Sequence, residues 1–211
     1  MRRRPAISFA IVLALGASRS LAGARQEGGS LETAGHEKGD PAAPLLIIEF
    51  ADFACSTCAA FARGTMPRVE EEWIRTGRAR YRIIPFDMLR TGRDAAVAAE
   101  CAAEQNAFWP MHDLLYARQR QWLGKGGQKE RFEGWAGELG LDRDRLAACQ
   151  KTDTARKRFE SNTRLAREHR VRGTPTFIIG GEMVAGGLEY AQFNEVLERI
   201  AGSGRGGEVR Q

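Results

Sequence analysis

Residues 45–58 read LLIIEFADFACSTC, and the order of patterns within them sets the fold. Residues 45–50 are a nearly unbroken apolar run of strand length, as in a strand buried on both faces. Residues 52–55 turn the chain. From Cys58 to about residue 76 the pattern is helical, interrupted near Gly64 and Pro67, and residues 80–85 (RYRIIP) return to strand chemistry. A strand, a crossover helix and a second strand imply a parallel βαβ unit. A Cys-x-x-Cys stands at its first corner.

Outward from this unit, the chain is helical from residue 93 to about 170. Residues 94–105 are Ala-rich, and residues 108–121 are amphipathic with Pro110 in their first turn. A loop at 124–127 leads to helical segments at 129–139, 142–150 and 154–169. Residues 176–179 and 182–185, joined by Gly180-Gly181, read as an antiparallel hairpin, and an amphipathic helix over 190–200 follows. No internal repeat is present. This order predicts an α/β, thioredoxin-like fold, a central mixed sheet flanked by helices with an inserted helical subdomain. We expect a first half at 41–92, a helical insertion at 93–160 and a second half at 161–201. Trp73, Phe108 and Trp109 are expected to line the core or a groove.

The ends differ in character from this body. Arg2, Arg3 and Arg4 precede a ten-residue apolar stretch, ISFAIVLALG at 7–16, and Ala22-Gly23-Ala24 supplies small residues. Residues 1–24 therefore read as a signal peptide cleaved after Ala24, the alternative being a retained N-terminal anchor. Removing 24 of 211 residues leaves 187, enough for one sizeable core. The removed segment carries four arginines and no acids, so the formal net charge falls from +5 to +1. The remaining cations are interleaved with acids, which gives no case for a nucleic-acid partner. Residues 25–40 are polar and Gly-rich and read as a flexible leader; residues 202–211 read as a flexible tail.

Export and four cysteines point to a compartment where disulfides persist. Four are too few for a disulfide scaffold, so they should instead have individual tasks. Cys101 and Cys149 fall in two helices of the insertion, as two separate buried thiols or as a structural disulfide. In an oxidising compartment we expect the disulfide, worth roughly 4 kcal/mol in the chain-entropy model.

A Cys-x-x-Cys after a buried strand and opening a helix has a specific use. Unpaired N–H groups and the positive end of the macrodipole stabilise a thiolate, so the first cysteine should titrate below a free thiol. Cys55 is expected to be the exposed nucleophile. Cys58, one turn further in, can resolve a mixed disulfide. Half of a zinc site is the first alternative, but Cys101, Cys149, His36, His112 and His169 are scattered singly. A purely structural disulfide would staple almost no loop, and no Cys-His follows the pair for haem. No cofactor and no metal are expected. Glu49 is an acid inside an apolar run. It either points out at a strand end or is buried with a raised pKa, poised for proton exchange.

Ile48 to Cys58 (IEFADFACSTC) resembles the DsbA family of bacterial thiol–disulfide oxidoreductases, in its shorter branch with an aromatic two residues before the first cysteine. The resemblance continues at 101–115 (CAAEQNAFWPMHDLL), at Gly173-Thr174-Pro175-Thr176-Phe177 and at Gly186-Gly187, and covers about residues 41–200. It implies that Thr174-Pro175 is a cis-proline loop facing the dithiol, where an ordinary trans bond is the general rule. It implies further that Glu49 lies beneath the dithiol and assists proton transfer at Cys58. The best-known members carry Pro-His between the cysteines, whereas here Ser56-Thr57 supply hydroxyls and no cation. Cys55 is accordingly expected to be less acidic, and the couple less oxidising, than in those members.

The expected activity is donation of the Cys55–Cys58 disulfide to reduced, exported proteins in the periplasm or another extracytoplasmic space. By family analogy re-oxidation falls to a quinone-linked membrane partner, and the protein is expected to be a monomer. A reductase or isomerase is the second reading, disfavoured because only about 16–20 residues precede the fold and leave no dimerisation domain. A chaperone module holding extended chains without chemistry is the third.

Overall fold

The computed structural model describes residues 30–204. Among the described residues five strands form one sheet in the order β1-β3-β2-β4-β5. They are β1 (His36–Lys38), β2 (Leu45–Ala51), β3 (Ala79–Pro85), β4 (Thr176–Ile179) and β5 (Glu182–Ala185). β2 and β3 are parallel, and the other three pairings are antiparallel. The sheet is mixed, flanked by helices, and thioredoxin-like.

The apolar run that opened the sequence is buried along its whole length. Ile47 faces a core built with Phe61, Phe177, Phe193 and Trp73; Leu46, Ile48 and Phe50 face a second cluster with Phe86, Leu165 and Val171. Two covered faces explain the absence of polar alternation in β2. The β4–β5 hairpin turns at Gly180 and Gly181, whose φ of 54° and 78° are both left-handed. That is the twist a two-residue hairpin needs.

After β2, α1 (Ser56–Gly64) and α2 (Met66–Val69) lead into a π-helical turn, Glu70–Ile74. Pro67 occupies the first turn of α2, where no N–H is missed. The insertion contains α3 (Arg93–Ala103), α4 (Phe108–Ala117), α5 (Gln119–Trp122), α6 (Gln128–Glu138) and α7 (Arg143–Lys151). α3 is its axis. Buried Ala95, Ala96, Ala98, Ala99 and Ala102 let α4, α6, α7 and α8 (Asp153–Glu168) pack closely around it. α9 (Tyr190–Gly202) closes the domain and is clamped to β5 by a bidentate Arg199–Glu182 pair at 2.6 and 2.8 Å.

Two expected boundaries change. The expected flexible leader at 25–40 is ordered over its described part, since residues 36–38 form β1 and Leu31 and Ala34 are buried. Its polar residues are held by partners far away in sequence. Glu37 pairs with Arg80 and Arg82, Lys38 with Glu70 at 2.5 Å, and the His36 ring stacks on Phe108 at 3.6 Å. The boundary at 160/161 falls inside α8, which runs unbroken. Its Ala155 and Phe159 belong to the first core cluster, and Leu165 and Ala166 to the second. The signal segment and most of the tail lie outside the described residues. Among the described residues no helix is long and apolar enough to cross a membrane.

Candidate active site

β2 delivers the chain to the corner where it turns. The Cys55 N–H donates to the Asp52 carbonyl at 2.9 Å. The buried Asp52 carboxylate accepts from the N–H groups of Ala54 (2.8 Å), Met88 (3.0 Å) and Leu89 (2.8 Å), which ties the corner to the β3–α3 loop. Burial raises the Asp52 pKa and these three donors oppose the rise. Cys55 is the N-cap of α1, and its sulfur accepts from the Cys58 N–H at 3.4 Å.

Cys55 is less open than its expected role as an exposed nucleophile suggested: it is 7% exposed and Cys58 is fully buried. The cover is the α8–β4 loop. The Thr174–Pro175 bond is cis, and the Thr174 carbonyl accepts from the Cys55 thiol at 3.3 Å. The chain after β5 closes the other side. A Cβ on Gly187 would stand 2.6 Å from Thr57 Cγ2, so only glycine allows this approach to the first turn of α1.

The two thiols are driven apart electrostatically. Cys55 is lowered to about 5, first by the hydrogen bond from Cys58, then, against the cost of burial, by the Thr174 side chain and the backbone N–H groups of Cys58 and Thr57. Cys58 is pushed far up by burial and by donating its proton to Cys55. One proton serves both sulfurs, so they titrate as a pair. No cation between the cysteines contributes.

Glu49, 2% exposed, is raised to about 8 by burial, an effect countered by the Tyr81 hydroxyl, which donates to its carboxylate, and reinforced by the charge of Cys55. The fold therefore brings Cys55, Cys58, Glu49, Thr174 and Pro175 to one place. Cys101 and Cys149 are elsewhere, on α3 and α7, joined by a disulfide with a Cα–Cα distance of 5.7 Å.

Four contributors escaped the sequence reading. Tyr81 holds Glu49, and Asp52 fastens the corner. The buried Gln119 amide, from the insertion, donates to the carbonyls of Phe53 (2.7 Å) and Cys55 (3.0 Å), and the Tyr116 hydroxyl reaches that of Asp52 at 3.4 Å. An acid three residues before Cys55 was the available signal for Asp52, whereas nothing in the 108–121 segment marked Gln119. The arrangement presents a stabilised thiolate, a protonated neighbouring thiol and a carboxyl group that holds a proton near neutral pH. Among the described residues no group of three or more His, Cys, Asp or Glu side chains is placed to hold a metal.

A family model described as Thioredoxin matches residues 32–199. A Na(+)/H(+) antiporter NhaA of Herminiimonas arsenicoxydans is 31% identical over 163 residues, which are 77% of this chain and 25% of that protein. The chain thus spans about a quarter of the length of that relative. Disulfide bond formation protein D of Bacillus subtilis (strain 168) is 20% identical over 171 residues, 74% of this chain and 72% of that protein. The crystal structure of Wolbachia pipientis alpha-DsbA1 superposes with a TM-score of 0.72 at 23% identity, covering 80% of this chain and 91% of that one.

Proposed function

The chain belongs to the thioredoxin family, with a DsbA-like fold, and we propose that it is a protein thiol–disulfide oxidoreductase donating the Cys55–Cys58 disulfide to reduced exported proteins. The observation that carries this reading is the placement of the two sulfurs, Cys55 capping α1 beneath the cis Thr174–Pro175 loop and accepting from the Cys58 N–H while Cys58 is fully buried behind it, an arrangement that lowers the first thiol and raises the second. In the forward reaction a substrate thiolate attacks Cys55 Sγ. The Cys55–Cys58 bond breaks, and the departing Cys58 sulfur takes up a proton, for which Glu49 is the nearby store. A second substrate thiolate then attacks the substrate sulfur of the mixed disulfide and expels Cys55 as its stabilised thiolate. Two electrons pass from the substrate dithiol to the protein, and the substrate leaves with a disulfide.

The low pKa of Cys55 favours the reduced product and hence the donor direction. The Cys101–Cys149 disulfide and the apolar segment at 7–16 support an extracytoplasmic setting. In that setting the protein acts as a monomer, re-oxidised by a quinone-linked membrane protein. Equilibrating the Cys55–Cys58 couple against glutathione tests the direction. The reading expects a potential between about −120 and −180 mV, and a value near the −270 mV of thioredoxin would refute the donor role.

A further inference from the structure

Two loops frame Cys55. The β3–α3 loop is fastened to Asp52 through the N–H groups of Met88 and Leu89, and the α8–β4 loop ends in the Thr174 carbonyl that contacts the sulfur. A cleft of about 470 Å³ opens between these loops and α8, with Arg90, Arg93, Arg167, Asp87 and Glu160 as its charged groups. Arg93 is paired with Glu160 at 3.5 Å. Arg90 and Arg167 are exposed, and no carboxylate among the described residues lies within ion-pair distance of either. Arg170 and Arg172, next along the loop toward Thr174, are exposed and have no carboxylate among the described residues within ion-pair distance; Glu168 is the other acid in that turn. The fold brings Arg90 and Arg93 of one segment to the same cleft as Arg167 of another.

We propose that this cleft takes an acidic segment of the polypeptide being oxidised, with Asp or Glu near the reacting cysteine paired to Arg90 and Arg167. The proposal rests on the thiol–disulfide reading of Cys55 and Cys58. Guanidinium forks bind carboxylates bidentately, which gives register as well as attraction. A second observation selects a polypeptide over a free anion. Asp87 Oδ1 is buried and has no hydrogen-bond donor among the described residues. An anion without O–H groups, such as chloride or sulfate, would leave that acceptor bare, whereas a peptide brings backbone N–H groups together with its carboxylates.

The test offers the oxidised protein three reduced two-cysteine peptides that differ only in flanking residues: Asp/Glu, Ser/Gln or Lys. Rates of peptide disulfide formation are corrected for each peptide's own thiolate fraction. At low salt the acidic peptide should react roughly tenfold faster than the lysine peptide, as two weakly screened ion pairs permit. The preference should fall to about twofold in 0.5 M salt. In R90Q/R167Q the ratio should approach one; because it is a ratio within one protein, any general loss of activity cancels. Equal rates for the three peptides at low salt, or a full preference retained in R90Q/R167Q, would overturn the proposal. Oxidation of dithiothreitol by the wild-type protein separates the two levels: no turnover there defeats the thiol–disulfide reading itself, while turnover without peptide preference defeats only the cleft.

Discussion

Cys55 and Cys58 stand at the mouth of α1, where N–H groups, a carbonyl and a buried acid converge on them. Cys101 and Cys149 lie 48 residues apart and join two helices of the insertion. The side chains are chemically the same, so the neighbourhoods account for the difference. At the first pair one proton is shared unequally, which leaves a stable thiolate and a protonated partner. The second pair closes a long loop and so removes much more freedom from the unfolded chain than a Cys-x-x-Cys can. The first neighbourhood makes a bond that is exchanged; the second makes one that is kept.

The sharpest way to break this comparison is to exchange the consequences. Cys55→Ala should reduce peptide oxidation to background, and it should also lower the thermal midpoint at neutral pH relative to the reduced protein, because the sulfur that caps α1 is lost. Retained activity would show that the dithiol is not the reacting group.

The next largest effect is a stability difference with pH. In the reduced protein Cys55 lies at about 5, below its ordinary 9.0, so its stabilising contribution is fully present above pH 9 and is lost as pH falls through 5. Glu49 acts in the opposite sense. Raised from 4.5 to about 8, it stabilises below pH 4.5, and that contribution is lost as pH rises through 8. The oxidised protein has no Cys55 titration. Denaturant unfolding of both forms should therefore give a reduced-minus-oxidised stability that rises from pH 5 to 9, by up to about 5 kcal/mol. A flat difference would mean that Cys55 is not perturbed.

Replacing the other pair, in C101A/C149A, should cost about 4 kcal/mol in denaturant unfolding, from the 48-residue separation. Per folded molecule this variant should oxidise peptides at the wild-type rate; a folded but inactive variant would end the division of tasks. Glu49→Gln is the smallest change. It should slow peptide oxidation roughly tenfold at pH 7 and remove the inflection near pH 8 from the rate profile.

What the sequence revealed follows the range of the interactions involved. The strand, Cys-x-x-Cys and helix corner, the Gly180-Gly181 hairpin and the Ala-rich α3 were legible because each is decided by near neighbours. β1 was not. His36, Glu37 and Lys38 carry no strand pattern, and their partners Glu100, Arg80 and Glu70 are 64, 43 and 32 residues away. The same limit hid Gln119, 64 residues from Cys55, and Tyr81, 32 from Glu49. The acidity of Cys55 could be anticipated in direction from its helix terminus. Its main cause, the Cys58 thiol, depends on how deeply the second cysteine is buried, which spacing alone does not give.

The most direct test of the central claim is the rate of alkylation of the reduced protein by iodoacetamide as a function of pH, with mass analysis of the product. The rate should rise with a midpoint near pH 5 and place a single label on Cys55, with Cys58 protected and Cys101–Cys149 intact. A midpoint near pH 9, or equal labelling of Cys55 and Cys58, would contradict it.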